Sequence, residues 1–128
     1  MVEVGFDHLH LRSLDPDAAA RFYVEHLGGT VADRMEAPDS LRVVVALGGA
    51  RLFIERAPDS MAAGAAAPHR GLEHVGFTVA DLASAASELK AKGVVFTMDP
   101  KVLRPGLSIA FLRGPDDVSI ELLQRDGA

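Results

Sequence analysis

DHLHLRSLDPDAAARFYVEHLGG, residues 7–29, and GLEHVGFTVADLASAASELKAKG, residues 71–93, decide the fold, because the second stretch repeats the plan of the first. In the first, alternation over Val2–Ser13 puts Phe6, His8, His10 and Arg12 on one face of a strand and Leu9 and Leu11 on the other. Asp15 then reads as a helix N-cap, Pro16 suits the first helical position, and Asp17 favours the positive end of the helix dipole. Ala19, Phe22, Tyr23 and Leu27 form the apolar stripe of that helix, and Gly28-Gly29 ends it. In the second stretch, Leu72–Ala80 alternates His74, Gly76 and Thr78 against Val75, Phe77 and Val79. Asp81 is the next N-cap, Leu82, Ala85, Ala86 and Leu89 are the stripe, Lys90 and Lys92 sit at the negative end, and Gly93 stops the helix.

Three strands are expected after each helix. In the first half they fall near 30–35, 41–47 and 51–56, with Gly48-Gly49 as a hairpin turn. In the second they fall near 94–98, 107–112 and 118–123, with Gly114-Pro115-Asp116-Asp117 as the last turn. The step from His8 to His74, 66 residues, also carries Asp15 to Asp81, Leu41 to Leu107, Gly48 to Gly114, Ile54 to Ile120 and Glu55 to Glu121. The chain therefore reads as α+β, with tandem βαβββ modules over residues 1–56 and 71–125 forming one domain. Residues 57–70, rich in Ala with Pro and Gly, read as a connector that has room for a short alanine helix.

Composition narrows the chemistry. The 128 residues carry a formal net charge of -5, which argues against nucleic acid as the main partner. There is no cysteine, so disulfides, thiolate metal sites and a cysteine nucleophile are excluded. No apolar run is long enough to span a bilayer, and the first residues lack the basic and apolar regions of a signal peptide, so a cytoplasmic location is expected.

Strand parity places Arg51, Phe53 and Glu55 on one face, and Asp117, Ser119 and Glu121 on the equivalent face of the other module. A carboxylate within an apolar strand is costly unless paired or bound to a cation. A single histidine on a strand is more often structural than ligating. One His and one Glu per module, related by one offset, instead suggest a divalent metal held by His8, Glu55, His74 and Glu121, with positions open for water or substrate, if the two half-sheets curve toward each other.

The two quoted stretches, together with RLFIE at 51–55 and GPDDVSIELLQ at 114–124, resemble the vicinal oxygen chelate superfamily over nearly the whole chain. That group includes glyoxalase I, methylmalonyl-CoA epimerase, extradiol dioxygenases and bleomycin resistance proteins. The resemblance implies curved half-sheets around a metal-binding cavity. It places the ligands on the first and last strands of each module, at His8, Glu55, His74 and Glu121. His10 shares a face with His8, but the 66-residue offset pairs His8 with His74 and His10 with Gly76, so His10 is expected at the cavity wall. The His/Glu/His/Glu set looks like short bacterial glyoxalase I, a lactoylglutathione lyase. It implies proton abstraction beside a carbonyl, with Glu121 as base and Glu55 facing the other side of the substrate. The expected metal is Ni, Co, Zn, Mn or Fe. The expected substrate is a small molecule, such as a glutathione or CoA thioester or a hemithioacetal, with Arg12, Arg51 and Arg104 as candidate anion anchors. An epimerase, an Fe(II) dioxygenase using two His and one Glu, and a non-catalytic binding protein are the alternatives. A homodimer is expected from the resemblance and from sheet edges that need covering.

Overall fold

Local signals set the helices of the computed structural model, which describes residues 1–126. Helix α1 (Pro16–Leu27) begins where the Asp15 carboxylate accepts from the Ala18 amide, and it ends at Gly28, whose φ of 78° is the left-handed cap that glycine favours. Helix α2 (Leu82–Ala91) begins the same way, with Asp81 accepting from Ser84, and the Gln124 side chain accepts from the Leu82 amide. Lys90, in its last turn, pairs with Asp99.

The chain forms two compact units, Met1–Ala63 and a second that starts at Gly64. In the first, strands β1 (Leu9–Ser13), β2 (Thr30–Ala37), β3 (Ser40–Leu47) and β4 (Ala50–Arg56) make one sheet in the order β1-β4-β3-β2. In the second, β5 (Val75–Thr78), β6 (Phe96–Arg104), β7 (Leu107–Arg113) and β8 (Ser119–Arg125) repeat that order as β5-β8-β7-β6. The first and last strands of each module run parallel, and the other neighbours run antiparallel. This is the expected α+β plan of tandem βαβββ modules.

Each unit builds its own apolar core. Tyr23 and Ala19 of α1 are buried, as are Leu41, Val43 and Val45 of β3 and Leu52 and Ile54 of β4. The second core takes Leu82, Ala86 and Leu89 from α2, Ala110 and Leu112 from β7, and Ile120 and Leu122 from β8. Alternation along β4 and β8 thus leaves Phe53 and Glu55, and Ser119 and Glu121, on the opposite sheet face. Gly29 admits close packing: a Cβ there would lie 2.8 Å from the Val45 side chain.

Some boundaries differ from expectation. The first strand starts at Leu9 rather than Val2, and Val2, Val4 and Phe6 are exposed. The strand expected over 72–80 shortens to Val75–Thr78, and the one expected near 94–98 extends over Phe96–Arg104. The connector holds no alanine helix: a short run broken by Pro58, Gly64 and Pro68 cannot offset the cost of helix nucleation. The edge strand β2 is exposed along its length, but it carries Asp33, Arg34 and Glu36 and a register shift beside Asp33, which blunt it against pairing. Arg34 also grips Asp17 through two hydrogen bonds of 3.0 and 2.9 Å, tying β2 to the start of α1. Among the described residues, no helix is long and apolar enough to cross a membrane.

Two substitutions grade these contributions. Leu52→Ala should cost about 2–5 kcal/mol through the cavity it leaves, and Asp15→Ala about 1 kcal/mol through the lost cap. Urea unfolding measures both.

Candidate functional site

Each candidate glutamate lies on a strand flanked on both sides. Glu121 of β8 has Gly76 of β5 as one register neighbour and Phe111 of β7 as the other. Glu55 of β4 has Arg12 of β1 and Arg42 of β3 in those two places. The same carboxylate therefore meets different chemistry in each module.

In the second module, the His74 ring nitrogen Nε2 lies 3.2 Å from Glu121 Oε1, and its Nδ1 lies 2.7 Å from Glu73 Oε1. The Phe111 ring meets the His74 ring edge-on, with centroids 5.0 Å apart. Gly76 keeps space beside the carboxylate: a Cβ there would sit 3.5 Å from Glu121 Oε1 and 3.1 Å from Leu123. The Glu73 hydrogen bond, reinforced by Glu121, holds the His74 pKa above the ordinary histidine value despite partial desolvation. The ring thus stands between two acceptors, Glu73 at Nδ1 and Glu121 at Nε2, and a cation could take the place of a proton between Nε2 and Glu121. Two ligand atoms on one zinc-like ion, at bond lengths near 2.1 Å, stand about 3.0–3.4 Å apart. The His74–Glu121 spacing falls in that interval, and Glu73 holds the opposite ring nitrogen, as a carboxylate that orients a metal-binding imidazole would. This pair fits a divalent metal.

The first module is arranged differently. Arg42 donates from Nε and Nη2 to Glu55 Oε1, at 2.9 and 2.6 Å. Arg12 Nη1 lies 3.5 Å from Oε2, and His10 Nε2 lies 3.7 Å from Oε1. The hydrogen-bonded Arg42 guanidinium holds the Glu55 pKa below the ordinary carboxylate value against the opposing effect of burial, with help from Arg12 and His10. His8 stacks on Phe53, with centroids 3.9 Å apart, and its Nδ1 lies 2.6 Å from Asp7. As arranged, Glu55 carries guanidinium cations and does not fit a metal ligand.

Sheet register also corrects the equivalence drawn from the 66-residue offset. His10 pairs with Phe53, two residues before Glu55. Extending the β5–β8 register by one residue sets His74 opposite Ser119, two residues before Glu121. In the sheet, His10 rather than His8 therefore occupies the place of His74. The reason is that β1 and β5 meet their last strands in registers that differ by two residues. His8 shares with His74 the preceding acid, Asp7 and Glu73 respectively, but not the place beside the glutamate.

Of the remaining candidates, Arg12 joins the Glu55 cluster, while Arg51 and Arg104 are exposed strand residues without an ion pair among the described residues. Also among the described residues, no three His, Asp or Glu side chains form a metal-binding group. Sequence reasoning missed Arg42, Glu73 and Phe111. Arg42 was accessible: a two-residue turn at Gly48-Gly49 sets residue 42 opposite residue 55.

Because the folded pKa of Glu55 is lowered, its stabilisation is complete above the ordinary glutamate value of 4.5 and is lost as pH falls through the lower folded value. The urea midpoint of the native chain should exceed that of Glu55→Gln most at about pH 6, and the difference should narrow toward about pH 3. A difference independent of pH would contradict the ion pairing.

Residues 5–122 match the model of the Glyoxalase/Bleomycin resistance protein/Dioxygenase superfamily. Glyoxalase I of Saccharomyces cerevisiae is 33% identical over 91% of this chain, which spans 44% of that relative's length. A glyoxalase family protein from Bacillus cereus superposes with a TM-score of 0.84 at 18% identity, covering 99% of this chain and 97% of the other. The trypanothione-dependent glyoxalase I of Leishmania major gives a TM-score of 0.76 at 21% identity, covering 95% and 87%. These structural likenesses share the fold seen here, and the match over residues 5–122 is the stronger statement: the chain belongs to the Glyoxalase/Bleomycin resistance protein/Dioxygenase superfamily.

Proposed function

We propose that the protein is a metal-dependent lyase or isomerase of the glyoxalase I type, acting on a small molecule with an acidic C–H beside a carbonyl. The observation that carries this reading is the His74–Glu121 pair, 3.2 Å apart, with Glu73 on the far side of the imidazole. His74 and Glu121 would hold the ion. When bound, a divalent ion supplies Lewis acidity to substrate oxygens beside the reacting carbon.

The chain's own groups do the rest. Glu121 takes the proton from the carbon next to the carbonyl and returns it to the neighbouring carbon, the pattern of a 1,2-isomerisation. Its Oε1 faces His74, and its Oε2 has no hydrogen bond among the described residues. Glu73 fixes the His74 ring by holding Nδ1, so that Nε2 points toward Glu121. Gly76 leaves the carboxylate room to move, and Phe111 closes one side of the imidazole.

The test is turnover by the metal-loaded chain with methylglyoxal plus glutathione, and with a racemic acyl-CoA to detect epimerisation. Glu121→Gln should lower kcat by about 10²–10⁴ with the metal retained in excess. Unchanged kcat in that variant would remove Glu121 as the base. A second reading is an Fe(II) ring-cleaving dioxygenase needing two histidines and one glutamate, favoured by the engagement of Glu55 with Arg42. It requires oxygen consumption with catechols and tolerance of Glu55→Ala.

A further inference from the structure

We propose that Arg42 is a built-in counter-ion that takes the cation's place on Glu55, so that the first module is closed to divalent metal while the second is open to it. The inference deepens the reading of His74 and Glu121 as ligands and rests on it for its reference arm. It assigns Glu55 to an ion pair with Arg42 rather than to a metal.

Three observations carry it. First, both Arg42 hydrogen bonds converge on one oxygen, Oε1, at 2.9 and 2.6 Å. Arg12 approaches the other oxygen at 3.5 Å. A dication on either oxygen would stand against a guanidinium, and like charges sharing one carboxylate repel. Second, Arg42 is held in place independently of Glu55. Its guanidinium carbon lies 5.2 Å from the centroid of the Phe53 ring, and the tight β3–β4 turn fixes residue 42 opposite residue 55. Third, the second module provides the contrast. The register place filled by Arg42 beside Glu55 is filled by Phe111 beside Glu121, and the place filled by Arg12 is filled by Gly76. Neither Phe111 nor Gly76 brings a charge, so Glu121 turns to His74. One topology thus carries a glutamate neutralised by arginine in one module and a glutamate left to an imidazole in the other. Removing Arg42 would free Glu55 Oε1, which has His10 Nε2 3.7 Å away, while Arg12 stays 3.5 Å from Oε2; the freed oxygen and the imidazole would form a second pair able to accept a cation.

The experiment is calorimetric titration of Ni²⁺ into the full chain and its variants, with folding checked by circular dichroism. Glu55→Gln should leave Ni²⁺ affinity within about twofold of the native chain, whereas Glu121→Gln should weaken it by about tenfold or more, since losing even an outer partner of a ligand costs that much. Arg42→Met should add a Ni²⁺ site or tighten binding about tenfold, a gain that Arg42→Met/Glu55→Gln loses and that Arg42→Lys does not produce. A disrupted fold lowers metal binding, so a Glu55-dependent gain separates the counter-ion role from a purely structural one. The inference is overturned if Glu55→Gln weakens Ni²⁺ as far as Glu121→Gln does, or if Arg42→Met binds like the native chain. If the native chain takes up no Ni²⁺, the ligand reading of His74 and Glu121 fails, and the Arg42→Met arm still decides this proposal.

Discussion

The last strand of each module is not an edge. It is inserted between the first strand, which runs parallel to it, and the third, which runs antiparallel. A glutamate on such a strand has a neighbour on each side and lies in a sheet whose other face is an apolar core. Its charge loses part of its hydration there, and the residues beside it must make up the difference. The identity of those two neighbours therefore decides what the carboxylate can do. The βαβββ order creates the place, and the side chains across the ladder set its chemistry.

The two modules answer that constraint with opposite means. Arg12 and Arg42 bring positive charge to Glu55, and that carboxylate is committed to hydrogen bonds and ion pairs within its own sheet. Gly76 brings space to Glu121, and Phe111 brings an aromatic wall to His74. The imidazole then becomes the polar partner, braced by Glu73. A duplicated plan with near-identical strand order has in this way separated into two unlike local environments. The difference rests on a few positions outside the core, which is why both halves keep the same apolar pattern.

How much of this was legible followed the range of the signal. Asp15 and Asp81 cap their helices as expected because capping is local: an Asp side chain reaches an amide three residues away. The parity of Glu55 and Glu121 was equally legible, since a strand of period two that buries Leu52 and Ile54 must turn Glu55 to the other face. Strand limits were not. Val2–Ser13 alternates throughout in sequence, but a strand exists only where a partner lies beside it, and pairing with β4 begins at Leu9. Register was the least legible, because it depends on the connections at both ends of a strand. The first hairpin closes with Leu47 opposite Ala50, while the second needs five residues between Arg113 and Ser119.

A two-residue difference between the β1–β4 and β5–β8 registers is why the repeat located the right faces but not the right neighbours. The 66-residue step keeps the acid–histidine pairs Asp7-His8 and Glu73-His74 equivalent along the chain, and both show the same short contact between acid and Nδ1. In the sheet, the first of these pairs lies two residues out of step with the second. A shift of two residues leaves every side chain on its original face, so alternation cannot reveal it. It nonetheless moves each side chain about 6.6 Å along the strand, enough to exchange a glutamate neighbour for an aromatic one. His8 accordingly meets Phe53, and it is His10 that comes within 3.7 Å of Glu55. Equivalence in a duplicated β-sheet protein is thus a property of the hydrogen-bonded ladder, and an equal sequence separation, as between His8 and Glu55 and between His74 and Glu121, does not guarantee it.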